Sequence, residues 1–298
     1  MKILNEENNF LAIDEEFSQY SNSKIVILPA PYEHTVSYGG GTIDGPNAII
    51  EASAYVEFYD DEFDRELCFD IGIATLQPLD FFECYDEKML QKIMTTVDKL
   101  LYDDKFVVTL GGEHTISTAP IKSHLKKYPN MSVLHFDAHS DLRDEYQNSK
   151  YSHASFAARV CEFLTPSKLT QVGIRAQCSE EAEFIRKNKV NTFYASALRR
   201  GIHGDNWQKQ IVDTLSEEIY ITFDVDYFDP AIMPATGTPE PDGFLYSETL
   251  DIFREIIKQK KKIIGFDVVE LAPIANLSHP NLTAARLIYK LLNFAFSK

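Results

Sequence analysis

Seven short runs in the chain are apolar almost residue for residue: "KIVILPAP" (24–31), "KFVVTLGG" (105–112), "MSVLHFDAH" (131–139), "LTQVGIRA" (169–176), "NTFYAS" (191–196), "IYITFDVD" (219–226) and "KKIIGFDVVE" (261–270). A strand that is apolar at nearly every position has to be covered on both faces, which happens in parallel sheets held between helices. Helix-length stretches at 86–103, 119–128, 180–188, 206–216, 247–260 and 281–295 lie between the runs. The alternation predicts an α/β protein with a mainly parallel sheet flanked by helices. No repeat, low-complexity segment or flexible linker interrupts it, so residues 1–298 are read as one domain.

Two loops, 37–46 and 234–243, are too rich in Gly and Pro for regular structure, and each sits beside a strand end. Sites in open parallel sheets form outside the carboxyl ends of the strands. Three strands end there in acids and imidazoles. Glu113 and His114 follow the run at 105; Asp137, His139 and Asp141 follow the run at 131; Asp224 and Asp226 close the run at 219. Residues two apart in an extended segment point the same way, so Asp137, His139 and Asp141 are expected to line one side of a cleft and Asp224 and Asp226 another, bringing four carboxylates and the two imidazoles of His114 and His139 face to face.

Such a cluster repels itself severely without a cation. Two divalent ions offset the four aspartates and leave only the charge of a bridging hydroxide, a balance suited to a cationic substrate. Carboxylate and imidazole ligands without thiolate fit manganese(II) best, with iron(II), cobalt(II) or zinc(II) as alternatives. A pair of ions about 3.5 Å apart deprotonates water near neutral pH, which makes a hydroxide the expected nucleophile.

Among the other histidines, His135 is read as a buried hydrogen-bonded residue, His124 as a solvated helix residue, and His203 and His279 as loop residues. His34 precedes a glycine loop and has no evident partner. His153 stands apart: it follows Asp141 by a loop able to fold back over the metals, where an imidazole can pass a proton to a leaving amine.

Composition narrows the function class. Asp and Glu outnumber Lys and Arg by 45 to 29, a formal charge of −16, which repels nucleic acid over most of the surface and attracts cationic small molecules and metals. An acidic surface also serves solubility alone. No apolar run approaches the roughly 20 residues of a membrane span, and the acidic start is unlike a signal peptide, so the expected location is the cytoplasm with no membrane partner. Cys68, Cys84, Cys161 and Cys178 are too scattered for a thiolate metal site and are read as reduced, half-buried residues.

The segments "GGEHTIS", "HFDAHSDLRDEY", "YSHAS", "ITFDVDYFDP", "TGTPEPDG" and "GFDVVELAP", with "PYEHTVSYGGGTIDGPNAI" before them, resemble in order the signature segments of the ureohydrolases, the family of arginase and agmatinase. The resemblance covers nearly the whole chain. It implies the arginase-type three-layer αβα fold, shared with the deacetylases, and two manganese(II) ions. One ion would take His114, Asp137, Asp141 and Asp224, the other His139, Asp137, Asp224 and Asp226, with Asp137 and Asp224 bridging.

It implies further that the hydroxide attacks a guanidinium carbon and releases urea and an amine. Asp141 accepts a hydrogen bond from the hydroxide, His153 shuttles protons to the leaving group, and Glu270 holds the guanidinium. The assembly expected from the family is a homo-oligomer, a trimer or a hexamer.

Where arginases resemble one another in Asn and Ser residues that hold the substrate's amino-acid end, this chain reads "LRDEYQNSKYS". Asp144 and Glu145 favour an amine over a carboxylate, while Arg143 reverses that inference if it points inward. Agmatine is therefore the first expectation, hydrolysed to putrescine and urea in polyamine biosynthesis. N1-aminopropylagmatine, guanidinobutyrate and arginine follow. A non-catalytic metal-binding homologue and a one-metal zinc deacetylase are the rivals; the presence of all six ligand positions, His153 and Glu270 counts against the first of these, and a metal content near one per chain would favour the second.

Overall fold

A computed structural model describes residues 1–297 of the chain. Eight strands, β1 (Ile25–Ala30), β2 (Ile73–Thr75), β3 (Phe106–Gly111), β4 (Ser132–Phe136), β5 (Leu169–Ile174), β6 (Asn191–Tyr194), β7 (Glu218–Asp224) and β8 (Lys262–Val269), form one sheet in the order β2-β1-β3-β8-β7-β4-β5-β6. Every pairing in it is parallel. The seven apolar runs become seven of these strands. β2, the eighth, is a three-residue edge strand too short to stand out in the sequence.

The alternation of side chains along the strands explains the three layers. In β1, Ile25 and Ile27 join one apolar cluster with the helices Gly45–Ser53, Tyr246–Lys258 and His279–Ala295, while Val26 and Leu28 join another with the helix Asp86–Tyr102 on the opposite face. β4 and β7 divide likewise: Leu134, Phe136, Ile221 and Phe223 face the first layer, and Val133 and Tyr220 face a third cluster containing Ile121, Phe156 and Ile185. With both faces covered, burying one such aliphatic or aromatic side chain contributes about 1.5–3 kcal/mol.

The topology decides where chemistry can sit. β7 and β8, last in sequence, insert between β3 and β4, so chain order reverses there. Leu110, Val268, Phe223 and Phe136 form one register row across β3, β8, β7 and β4, which brings those four strands to an end at the same level. All the candidate residues follow that row, at the switch point where open α/β sheets bind ligands.

Several local expectations change. β4 stops at Phe136, so Asp137, His139 and Asp141 lie beyond it; a single bridge from His139 to Ala176 keeps the chain extended until Asp141 turns it with a left-handed φ of 52°. Asp226 sits on the 3-10 turn Val225–Tyr227 rather than on extended chain. The run 191–196 ends as a strand at Tyr194 and continues as the short helix Ala195–Arg199. Cys68 is fully buried, and His279 is the first residue of the helix His279–Ala295.

His124 is also corrected. It is fully buried instead of solvated, its Nδ1 donating to the Pro120 carbonyl at 2.8 Å and its ring 4.7 Å from that of Tyr220. Gly265 makes room for the ring, since a Cβ there would meet His124 Nε2 at 2.4 Å. Burial pushes the His124 pKa down to about 4 from the ordinary 6.5. The unfolded chain thus takes up a proton that the folded chain refuses: stability from this group is full above pH 6.5 and is lost as pH falls toward 4, by roughly 3 kcal/mol at about 1.4 kcal/mol per unit. Urea unfolding of wild type and His124→Gln at pH 7, 5.5 and 4.5 is expected to show a smaller acid loss in the variant; parallel losses would refute the assignment.

Candidate functional site

β3 ends in Gly111 and the loop after it begins with Gly112 for a steric reason. Gly112 lies so close to the chain leaving β1 that a Cβ would meet the Tyr32 carbonyl at 2.1 Å. That contact turns the chain into the 3-10 segment His114–Ser117 and delivers His114 to the sheet edge. The His114 ring stacks on Phe156 at 3.7 Å and is buried.

Three aspartates converge on it. His114 Nδ1 lies 3.0 Å from Asp137 Oδ2, 3.2 Å from Asp224 Oδ2 and 3.4 Å from Asp141 Oδ2. Asp137 turns its other oxygen, Oδ1, to within 3.4 Å of His139 Nδ1, which Asp226 Oδ2 approaches at 2.9 Å. Asp137 thus contributes one oxygen to each of two adjoining clusters. Asp224 Oδ1 accepts from the Asp226 amide at 2.8 Å, and Asp226 Oδ1 from the Ala138 amide at 3.0 Å.

The electrostatics of the protein alone are frustrated. Burial, then the Asp137 charge, raises the Asp141 carboxyl well above its usual range; burial, then Asp226 and Asp137, does the same to Asp224. Asp226 is raised by burial and Asp137. Burial disfavours charge on Asp137 as well, yet His135, His114 and His139 around it hold it well below the ordinary value. Two like charges about 4 Å apart at an effective dielectric constant of 20 repel by about 4 kcal/mol.

A test of whether these groups suit a cation comes from His114. Its Nε2 is 2.9 Å from Thr222 Oγ1, and that hydroxyl donates to Asp267 Oδ1 at 2.6 Å. With its proton assigned to Nε2 by these partners, the ring presents Nδ1 as a bare lone pair to three carboxylate oxygens, and Nδ1 has no hydrogen-bond partner among the described residues. Lone pairs aimed at one point attract only a proton or a metal ion. Asp137 and Asp141 accordingly raise the His114 pKa against its burial.

The donors fit divalent ions: His114, Asp137 and Asp141, with His135 nearby, and separately Asp137, His139 and Asp226, each set offer ligand atoms within 4.8 Å of one another. His135 is held otherwise. Its Nε2 contacts Asp137 Oδ2 at 2.7 Å and its Nδ1 accepts from Gln171 Nε2 at 3.1 Å, leaving neither nitrogen open.

The remaining expected residues close the same cavity, of about 540 Å³, lined by His139, Asp141, His153, Asp224, Asp226 and Glu270. Glu270 is buried, takes a φ of 66°, and accepts the His114 amide on Oε1 at 2.6 Å. His153 Nδ1 lies 3.6 Å from that oxygen, and its Nε2 has no hydrogen-bond partner among the described residues. Burial favours a neutral His153, but Glu270 and Glu113 outweigh it and raise the pKa.

Asp144 and Glu145 point away: both are exposed, and Asp144 pairs with Arg159 at 2.8 Å. Arg143 does point inward and lines the cavity with Tyr146, but its guanidinium lies 5.0 Å above the Tyr146 ring and 3.7 Å from buried Glu181, whose charge offsets its own, so the reversal toward a carboxylate tail does not follow.

Sequence reasoning passed over a supporting layer. Asp267, inside "GFDVVE", accepts from Ser117 at 2.9 Å and Tyr220 at 2.8 Å as well as from Thr222. Glu113 accepts the amides of His34 and Thr35 at 2.7 and 2.6 Å and the Thr35 hydroxyl at 2.9 Å; Thr35 Oγ1 in turn accepts the His153 amide at 3.0 Å. Burial pushes Glu113 up to about 7 despite those amides. His34, without an evident partner in the sequence, lies beside Tyr85 with the two rings 4.6 Å apart and tilted by 37°. A polar residue inside a near-continuous apolar run, such as Thr222 or Asp267, is the signal that could have found this layer.

Thr222→Val is expected to weaken divalent-metal binding about 10- to 100-fold by freeing the His114 tautomer, with Thr222→Ser restoring it, as read by competitive metal titration of folded protein.

The model of the arginase family matches residues 23–293. The N(1)-aminopropylagmatine ureohydrolase of Synechocystis sp. is 35% identical over 286 residues, 94% of this chain and 92% of that protein. The agmatinase of Bacillus cereus is 35% identical over 271 residues, 89% of each. Among solved structures, the agmatine ureohydrolase of Thermoplasma volcanium superposes with a TM-score of 0.84 at 28% identity, covering 97% of this chain and 94% of that one. With the family model spanning nine-tenths of its length, the chain belongs to the arginase family, among its agmatinase-like ureohydrolases.

Proposed function

We propose that the protein hydrolyses the guanidinium group of agmatine to putrescine and urea. The observation that carries this reading is the meeting of Glu270, His153 and the aspartate cluster in one cavity, because guanidine hydrolysis needs an anion to hold the cation, a proton carrier and a site for metals. Two manganese(II) ions belong to the proposal, one held by His114, Asp137, Asp141 and Asp224 and the other by His139, Asp137, Asp224 and Asp226. When bound, they supply charge neutralisation and Lewis-acid activation of water.

Each residue then has a task set by its surroundings. Glu270, with Oε1 fixed by the His114 amide, presents its carboxylate to the guanidinium N–H groups and orients the carbon for attack. Asp141 accepts a hydrogen bond from the attacking water. His153, poised by Glu270 and by the Thr35 contact to its backbone, gives a proton to the departing nitrogen as the C–N bond breaks.

N1-aminopropylagmatine is the second reading. It is favoured by the Synechocystis and Thermus relatives named for that activity and by a cavity that extends past His139 to Arg175 and Gln177. One domain across residues 1–298, cytoplasmic residence, and a trimeric or hexameric assembly complete the proposal and rest on the family. Among the described residues no helix is long and apolar enough to cross a membrane.

Manganese-loaded protein should release urea fastest from agmatine in a panel with aminopropylagmatine, guanidinobutyrate and arginine; no urea from any of them would overturn the reading. His153→Ala should keep its metal and lose roughly 10²–10⁴ in kcat, measured by urea release beside metal content.

A further inference from the structure

The cavity wall carries one acid that neither the metal cluster nor the guanidinium site accounts for. Glu240 lines the mouth with 39% of its side chain exposed, and its one ion-pair contact among the described residues is His139 Nε2 at 4.0 Å. The other acid of the outer wall, Glu181, is buried and committed, accepting the Leu142 amide at 3.0 Å and the Cys178 amide at 2.7 Å.

Glu240 is held in place by its backbone. It lies between Pro239 and Pro241, and its carbonyl accepts from Arg175 Nη2 at 3.0 Å while that of Pro241 accepts from Arg175 Nε at 3.1 Å. The same guanidinium bonds the carbonyls of Gly173, Asp226, Tyr227 and Phe228. Arg175 therefore fastens the rim to the metal motif with its donors engaged by carbonyls, and leaves the Glu240 carboxylate without a cation. At the other end of this loop, the Gly39 amide donates to Gly237 at 3.1 Å.

Its position relative to the chemistry is defined by one ring. Asp226 Oδ2 meets His139 at Nδ1 and Glu240 Oε1 faces Nε2, so Glu240 stands one imidazole width outward from the cluster. Glu270 and Glu240 line the same cavity, so the way out for the alkyl chain of a guanidinium bound at Glu270 would pass this mouth. The opposing cation, Arg143, is itself 3.7 Å from Glu181 and lies against Tyr146.

We propose that Glu240 is a specificity-determining residue that binds the distal ammonium of an amine-terminated alkylguanidine, an inference that rests on the ureohydrolase reading for its guanidinium end. A half-exposed carboxylate on an anchored backbone, with only His139 beside it at 4.0 Å, selects a cationic tail by direct charge pairing and rejects a carboxylate tail. The competing role, orienting His139 as a metal ligand, predicts a different pattern of loss.

Manganese-loaded full-length wild type, Glu240→Gln and Glu240→Lys are compared on agmatine, n-butylguanidine, which has the same four-carbon chain without the amine, and guanidinobutyrate. Bound manganese and putrescine affinity by calorimetry are measured alongside. In Glu240→Gln the preference for agmatine over n-butylguanidine should fall about tenfold or more through KM, manganese content should match wild type, and putrescine should bind about tenfold more weakly; Glu240→Lys should shift preference toward guanidinobutyrate. An unchanged preference ratio overturns the proposal, as does an equal loss on both guanidines accompanied by loss of manganese. If wild type releases urea from no guanidine, the ureohydrolase reading fails by itself, and putrescine affinity decides: a weaker Glu240→Gln upholds the ammonium site, and an unaltered one overturns it.

Discussion

Four aspartates and two imidazoles share a largely buried space, in which burial and mutual repulsion raise three of the four acids above their ordinary range. Neutral Asp141, Asp224 and Asp226 would relieve the repulsion only by giving up ionisation, the state toward which burial already pushes them. A cation resolves the conflict without proton uptake. The sheet, the loops and the hydrogen-bonded layer beneath can be understood as the means by which a folded chain keeps such groups from separating.

Rigidity below the cluster is the first of these means. A rank of bonds runs from Asp267 through Thr222 to His114 and from Gln171 through His135 to Asp137, so the groups nearest the sheet are oriented before any ion arrives. Asp141 and Glu270 supply the second means. Both are non-glycine residues with left-handed backbone, a conformation that costs about 1–2 kcal/mol. Each is held there by its neighbours: the Ala158 amide donates to the Asp141 carbonyl at 3.1 Å, and the Glu270 amide donates to Gly112 at 2.8 Å. Strain at two positions lining the cavity is tolerated because the central strands on either side are paired and buried.

The sequence revealed the parts of this design that have a period or a spacing. Near-continuous apolar runs announced a doubly covered parallel sheet, and acids at three strand ends announced the cluster. Parity was a poorer guide past the strand ends, where Asp141 and Asp226 reach the site through a left-handed residue and a 3-10 turn. Contacts between distant segments left no local trace: Thr35 supports His153 across 118 positions, and His124 is buried because a glycine on β8, 141 positions away by number, leaves space for it. Asp144 and Glu145 show the reverse error. Their charge suggested a role in substrate choice, but a side chain's direction in an irregular loop is set by its tertiary partner, here Arg159 for Asp144.

Depth divides the labour within the cavity. Its floor is made by strand ends and by backbone amides that donate to Asp137, Asp224, Asp226 and Glu270, so any change there disturbs several groups together. Its rim is made by side chains on loops, Arg143 and Tyr146 from one and Glu240 from another, none of which contributes to the core. A substitution at the rim can alter which tail is accepted while the arrangement that handles the guanidinium stays intact. The floor is thus fixed by the sheet and its backbone amides, whereas the rim is set by the charges of a few loop residues that can change without disturbing it.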